Sequence, residues 1–207
     1  MNRQLPHMVS WAHAFAADVL TPGGSAVDLT VGRGQDTLFL FEKLGPEGMI
    51  VGFDIQEEAL SATEALLSAA GARVGRFSPE RSSLCAGSGV HLICDNHADL
   101  GRYLTVAPQV VLANFGYLPG GGRGVVTAVA SSRLALEAAL DALAPGGRLI
   151  AVVYLGHDEG RRESQMIDTL GAGLCSRLFH VLRLDVPNRR DSPYLMVIEK
   201  RRRRTEG

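Results

Sequence analysis

Short apolar runs alternating with longer amphipathic stretches place this 207-residue chain among α/β proteins. The sheet expected is doubly wound, seven-stranded and mostly parallel. Three observations carry that expectation. The candidate strands read as continuous apolar runs rather than strict alternation, as a sheet covered on both faces requires. Within Glu57–Ala70, residues Ala59, Thr63, Leu66, Leu67 and Ala70 follow the spacing of a buried helical stripe. The last two apolar runs are separated by Val-Pro-Asn-Arg-Arg-Asp-Ser-Pro, with no helical segment between them, so they close the sheet as a C-terminal antiparallel hairpin.

In chain order, a helix is expected over Pro6–Leu20, then a strand at Ala26–Leu29 running into glycines and a helix at Asp36–Leu44. The apolar run Met49–Phe53 precedes the striped helix Glu57–Ala70, and Val90–Ile93 and Val110–Ala113 supply the third and fourth strands. Before the third strand, Arg73–Ser88 is rich in Arg, Ser and Gly and reads as a long loop of the kind that selects substrates. Helix Val125–Leu143, strand Arg148–Tyr154 and helix Glu159–Leu170 lead into the hairpin strands Leu178–Leu184 and Tyr194–Glu199.

Composition bounds the rest. With 46% hydrophobic and 21% charged residues, the chain can bury a core as one domain spanning residues 1–207. Its 21 basic residues against 22 acidic ones exclude the strongly basic character of a non-specific nucleic-acid coat, though not a local basic patch. Lys200–Arg204 reads as a flexible, solvated basic tail; it and Arg189-Arg190 in the hairpin are the candidate phosphate contacts. Three cysteines without CxxC spacing point to reduced thiols and to no metal site. No stretch has the length and apolarity of a signal peptide or membrane span, so a cytoplasmic protein without a membrane partner is expected.

The most informative segment runs from Ala26 to Leu40. A strand leads into Asp28, then Gly32-x-Gly34, then a helix opening at Asp36-Thr37. Glycines let the backbone turn and approach a ligand closely, and the helix start presents free N–H groups. A dinucleotide fingerprint would place a third glycine where Thr37 stands and would not flank a pyrophosphate with Asp28 and Asp36. S-adenosylmethionine, with an amino group, a carboxylate and a sulfonium but no phosphate, suits these acids better than NAD. Asp54 ends the second strand 20 residues after Gly34, where a carboxylate can accept both ribose hydroxyls. Asp95, followed by Asn96 and His97, ends the third and could accept from an adenine amino group. Thr30, Gln35, Ile55 and Gln56, beside these acids, complete the expected cofactor-binding set. On the fourth strand, Asn114-Phe-Gly-Tyr117 resembles the Asn-Pro-Pro-Tyr element of enzymes that methylate amino nitrogens. There an amide oxygen accepts an N–H and Tyr117 can stack on a planar base. An oxidoreductase, a small-molecule methyltransferase and a non-catalytic cofactor-binding protein remain rivals at this point.

Five ordered runs carry a resemblance: Asp28-Leu-Thr-Val-Gly-Arg-Gly-Gln-Asp-Thr-Leu, Phe53-Asp-Ile-Gln-Glu-Glu-Ala, Asn114-Phe-Gly-Tyr-Leu-Pro-Gly-Gly, Gly156-His-Asp-Glu-Gly and Pro193-Tyr-Leu-Met-Val-Ile-Glu-Lys. Together they resemble the small bacterial "putative rRNA methylase" family over nearly the whole chain. The resemblance implies a Rossmann-like class I methyltransferase fold and dependence on S-adenosyl-L-methionine. It implies an RNA partner, with better-characterised relatives methylating the 5-aminomethyl group of wobble uridine in the tRNA anticodon. By the same resemblance Asp28, Gly32, Gly34, Asp36, Thr37, Asp54, Gln56 and Asn114 line the cofactor pocket, and Tyr117 and His157 border the acceptor. Asn114, Tyr117 and His157 are thus the expected catalytic residues; the sequence also allows a homodimer.

Overall fold

The computed structural model describes residues 5–78, 85–115, 129–156 and 158–202. Its strands are β1 (Ser25–Asp28), β2 (Met49–Asp54), β3 (Val74–Phe77), β4 (Gly89–Cys94), β5 (Val110–Phe115), β6 (Arg148–Val153), β7 (Phe179–Leu184) and β8 (Tyr194–Lys200). They form one sheet in the order β3-β4-β2-β1-β5-β6-β8-β7. Helices α1 (Met8–Ala17), α2 (Gln35–Leu44), α3 (Glu57–Ala69), α4 (Val129–Ala142) and α5 (Asp158–Gly173) cover it, with a 3₁₀ turn at His97–Arg102.

Each central strand feeds two cores at once. Val27, Val51, Val111, Ala113, Leu149, Ala151 and Val153 face one side, where Leu100 and Tyr103 of the 3₁₀ segment, Leu136 and Leu140 of α4 and Ile167 of α5 pack. Their neighbours Ala26, Ile50, Val110, Leu112, Ile150 and Val152 face the other, against Ala12 and Ala16 of α1, Leu40 and Leu44 of α2 and Leu60 and Leu67 of α3. Successive side chains of a strand point to opposite faces, so burial of both faces removes the polar alternation. In α3 the buried stripe is Leu60, Thr63 and Leu67, while Ala70 is exposed.

The hairpin closes as expected. β8 runs antiparallel between β6 and β7, with Val153 opposite Tyr194 and Leu184 opposite Leu195. β7 therefore points the same way as β6.

The expected seven strands are all present, and the sheet has an eighth. β3 lies inside the stretch read as a loop and pairs parallel with β4, Val74 opposite Val90 and Phe77 opposite Ile93. Its four residues are all half-buried, and Gly75 interrupts its apolar pattern, so this edge strand lacks the continuous run that marked the others.

Parallel pairing brings the carboxyl ends of β1, β2 and β5 side by side, because Asp28 is in register with both Gly52 and Leu112. That edge is where ligands of doubly wound sheets bind.

Candidate active site

Three strand ends and one loop build the site. Asp28 closes β1 and is fully buried. Its carboxylate accepts from the Thr30 N–H at 3.1 Å and from the Thr37 hydroxyl at 2.7 Å, which ties the strand end to the first turn of α2. Gly32 and Gly34 both take positive φ, 51° and 76°. A Cβ at Gly34 would also lie 2.7 Å from the Thr63 side chain, so the turn requires glycine there.

Asp54 closes β2. Its two oxygens each accept one backbone N–H, from Gly32 and from Gln56, both at 2.9 Å. A carboxylate offers about four lone-pair sites, so each oxygen keeps one for a ligand. Ile55, beside it, is a large apolar side chain left 55% exposed at the rim, and Gln56 opens α3. Gln35 is exposed on the first turn of α2.

Asn114 lies near the end of β5. Its N–H donates to the Thr30 hydroxyl at 2.8 Å, tying this strand to the glycine loop. Its Nδ2 donates to Asp36 Oδ2. Its Oδ1 is buried and has no hydrogen-bond partner among the described residues. The other Asp36 oxygen lies 2.6 Å from His13 Nε2 of α1.

The third acidic strand end is more structural. Asp95 accepts from the buried Tyr103 hydroxyl at 2.5 Å and from the Asn96 N–H at 2.8 Å. The Asn96 side chain caps the 3₁₀ turn through the Ala98 N–H at 2.9 Å. His97 is buried edge-on to Phe115, and burial lowers its pKa against an opposing pull from Asp54. Its Nε2, like Asn114 Oδ1, lacks a partner among the described residues. Tyr117 and His157 lie outside the described residues.

Two side chains of this edge carried no sequence expectation. Tyr154 follows β6, and burial, then the nearby Asp36 charge, raise its pKa. The strand-end position that picked out Asp28, Asp54 and Asn114 also picks out Tyr154. His13 had no such signal, because its partner is 23 residues away on another helix.

Electrostatically the site is poised for a cation. Burial, then the Asp36 carboxylate, push the Asp28 carboxyl up to about 7, against the lowering effect of its bonds to Thr37 and Thr30. Two buried polar atoms without partners and a group of neighbouring acids fit a ligand that brings both positive charge and hydrogen-bonding groups. S-adenosylmethionine is such a ligand.

The comparisons with known proteins agree. Residues 50–200 match the family described as "Putative rRNA methylase". The chain is 30% identical over 197 residues to the chloroplastic tRNA (mnm(5)s(2)U34)-methyltransferase of Arabidopsis thaliana, spanning 92% of this chain and 68% of that one. A Clostridium thermocellum structure described as a putative rRNA-methylase superposes with a TM-score of 0.84 at 29% identity, covering 96% of this chain and all of its own (100%). A Streptococcus mutans putative methyltransferase, solved in complex with SAH, gives 0.79 at 29% identity, covering 95% of this chain and 99% of its own.

The raised Asp28 carboxyl makes stability pH-dependent. Between about 4 and 7 the folded protein holds a proton that the unfolded chain releases, so this contribution is full below the ordinary value of 3.8 and is lost as pH rises through about 7. Asp28→Asn cannot ionise, and its amide can still accept from the Thr30 N–H and donate to the Thr37 hydroxyl. Denaturant unfolding without cofactor should show wild type losing stability relative to Asp28→Asn between pH 5 and 8; parallel profiles would refute the assignment. With the family match spanning residues 50–200 and a relative 30% identical over 92% of the chain, the protein belongs to the "Putative rRNA methylase" family.

Proposed function

We propose that this protein methylates an amino nitrogen on RNA, and that its acceptor is the 5-aminomethyl group of the tRNA wobble uridine. It is a methyltransferase whose cofactor is S-adenosylmethionine. The observation that carries the acceptor class is the buried Asn114 Oδ1 at the carboxyl end of β5, which has no hydrogen-bond partner among the described residues. A site that leaves a buried oxygen unpaired selects a ligand that brings a donor, because the unpaired atom costs about 1–3 kcal/mol until it is matched. Similarity to the Arabidopsis tRNA (mnm(5)s(2)U34)-methyltransferase supports the finer substrate.

The residues divide the work by position. Asp54 would hold the ribose hydroxyls through the lone pairs left on its two oxygens, with Ile55 against the adenine face and Asp95 toward its amino group. Asp28 and Asp36 place negative charge where the cofactor is positive, and the start of α2, with Gln35 and Thr37, offers N–H groups to a carboxylate. When bound, S-adenosylmethionine supplies an electrophilic methyl carbon on a positively charged sulfur.

Toward the acceptor, the Asn114 oxygen would accept an N–H and so direct the nitrogen lone pair. An alkylamine resembles a lysine side chain, with an ordinary pKa of about 10.4, and must lose a proton before it can attack. A neighbouring cation and exclusion of water both favour the neutral amine, so positioning rather than a dedicated strong base supplies much of the rate. Mass spectrometry of nucleosides from tRNA and rRNA of cells with and without the protein should show wobble 5-methylaminomethyluridine lost and 5-aminomethyluridine gained. Loss of a methylated rRNA nucleoside alone would contradict the proposal.

The fold separates the two basic segments. Because β7 is parallel to β6, the loop after it carries exposed Arg189 and Arg190 to the carboxyl edge, where the site lies. Lys200 is instead the last residue of β8 at the opposite edge, about 20 Å away by strand length. It is bonded there to the Leu140 and Asp141 carbonyls, and Arg201 to that of Ser176. That position favours the hairpin loop over the tail as the contact to RNA phosphates beside the site. Replacing Arg189 and Arg190 with Glu should weaken tRNA binding and reduce the salt slope by about one to two units, while truncation after Arg202 leaves both unchanged. The reverse pattern would move the RNA path to the tail.

A further inference from the structure

A carboxamide has two ends of nearly equal size and opposite hydrogen-bonding character. Whether Asn114 shows the acceptor an oxygen or an NH₂ therefore depends on what holds its other end. That partner is Asp36, which takes Nδ2 and leaves Oδ1 without a partner among the described residues. Asp36 sits on the first turn of α2, with side-chain exposure of 13%, and its second oxygen is 2.6 Å from His13 Nε2. The imidazole is held in turn. It stacks on Phe39 of α2, ring centroids 3.9 Å apart and planes within 1°.

The helix that carries His13 is anchored at its C-terminal end by one guanidinium nitrogen, Arg148 Nη1. Arg148, at the start of β6, donates to the Phe15 carbonyl at 2.9 Å and pairs with Asp18 at 2.8 Å. The connection from α1 through Asp36 to Asn114 thus runs between rigid elements.

We propose that His13 is a positioning residue for methyl transfer. By donating to Asp36 it fixes the carboxylate that captures Asn114 Nδ2, and so keeps the Asn114 oxygen turned to the acceptor nitrogen. The proposal rests on the reading that Asn114 faces the acceptor. His13 touches neither substrate nor cofactor in it, and acts only through Asp36. Without the donor on one oxygen, Asp36 can swing away from Nδ2, and the amide loses the contact that decides its orientation. A misoriented amide presents N–H groups to an N–H donor, which is repulsive.

The test uses His13→Leu, which keeps an apolar body against Phe39, and His13→Gln, whose amide nitrogen reaches about as far as Nε2. Methyl transfer is followed from radiolabelled S-adenosylmethionine to unfractionated RNA from cells lacking the enzyme, and cofactor affinity by calorimetry. His13→Leu should lower kcat by about 10- to 100-fold with cofactor Kd little changed, and His13→Gln should recover most of the loss. The double variant His13→Leu/Asn114→Ala should be no slower than Asn114→Ala alone, since both act on one contact. Unchanged kcat in His13→Leu, no recovery with Gln, a loss confined to cofactor affinity, or additive losses in the double variant would each overturn the proposal. If Asn114→Ala alone keeps full turnover, it is the reading of Asn114 that fails, and the proposal with it; if only the His13 variants stay active, that reading stands.

Discussion

Asp28 is fully buried, and the donors that reach it, the Thr30 amide and the Thr37 hydroxyl, are both neutral. That one interaction fixes the remainder of the site. It holds the end of β1 against the start of α2, and Thr30 then holds Asn114 of β5 while Gly32 reaches Asp54 of β2. Breaking the contact to Asp28 would release the loop on which all three strands converge. The arrangement stores unfavourable electrostatics, since Asp28 lies out of water beside Asp36 with Asp54 near, and that cost falls when a positive ligand binds.

Local rules exposed much of this in the sequence. Asp28, Asp54 and Asn114 each follow an apolar run, and the parallel sheet turns that one-dimensional fact into three neighbouring side chains. The glycines at 32 and 34 were readable for the same reason, because a strand entering a helix within a few residues needs positive φ. Asn96 follows Asp95 and is expected beside the cofactor; its oxygen also caps the turn it begins, a role that Asn in such positions commonly serves. What the sequence hid was non-local. His13 and Asp36 meet only after α1 and α2 pack, and β3 earns its place by pairing with β4 rather than by its own pattern.

The two edges of the sheet differ in character. The carboxyl edge carries the acids, the Asn114 and His97 atoms that lack partners among the described residues, and the Arg189-Arg190 loop, a combination suited to a small cation beside a polyanion. The opposite edge carries Arg148, which bridges Asp18 and Glu199, and the anchored Lys200, whose bonds tie helices to strands. Positive charge therefore ties helices to strands at one edge, and on Arg189 and Arg190 it stands exposed at the other. β8 makes this division possible, because its reversed direction puts the hairpin loop and Lys200 at opposite edges.

The whole reading depends on a sulfur-bearing nucleoside lying across β1, β2 and β5. Crystals grown with S-adenosylhomocysteine address it directly. Density should cross those strand ends with the ribose on Asp54 and the sulfur facing the Asn114 amide. The same ligand bound elsewhere, or with its ribose turned from Asp54, would contradict it.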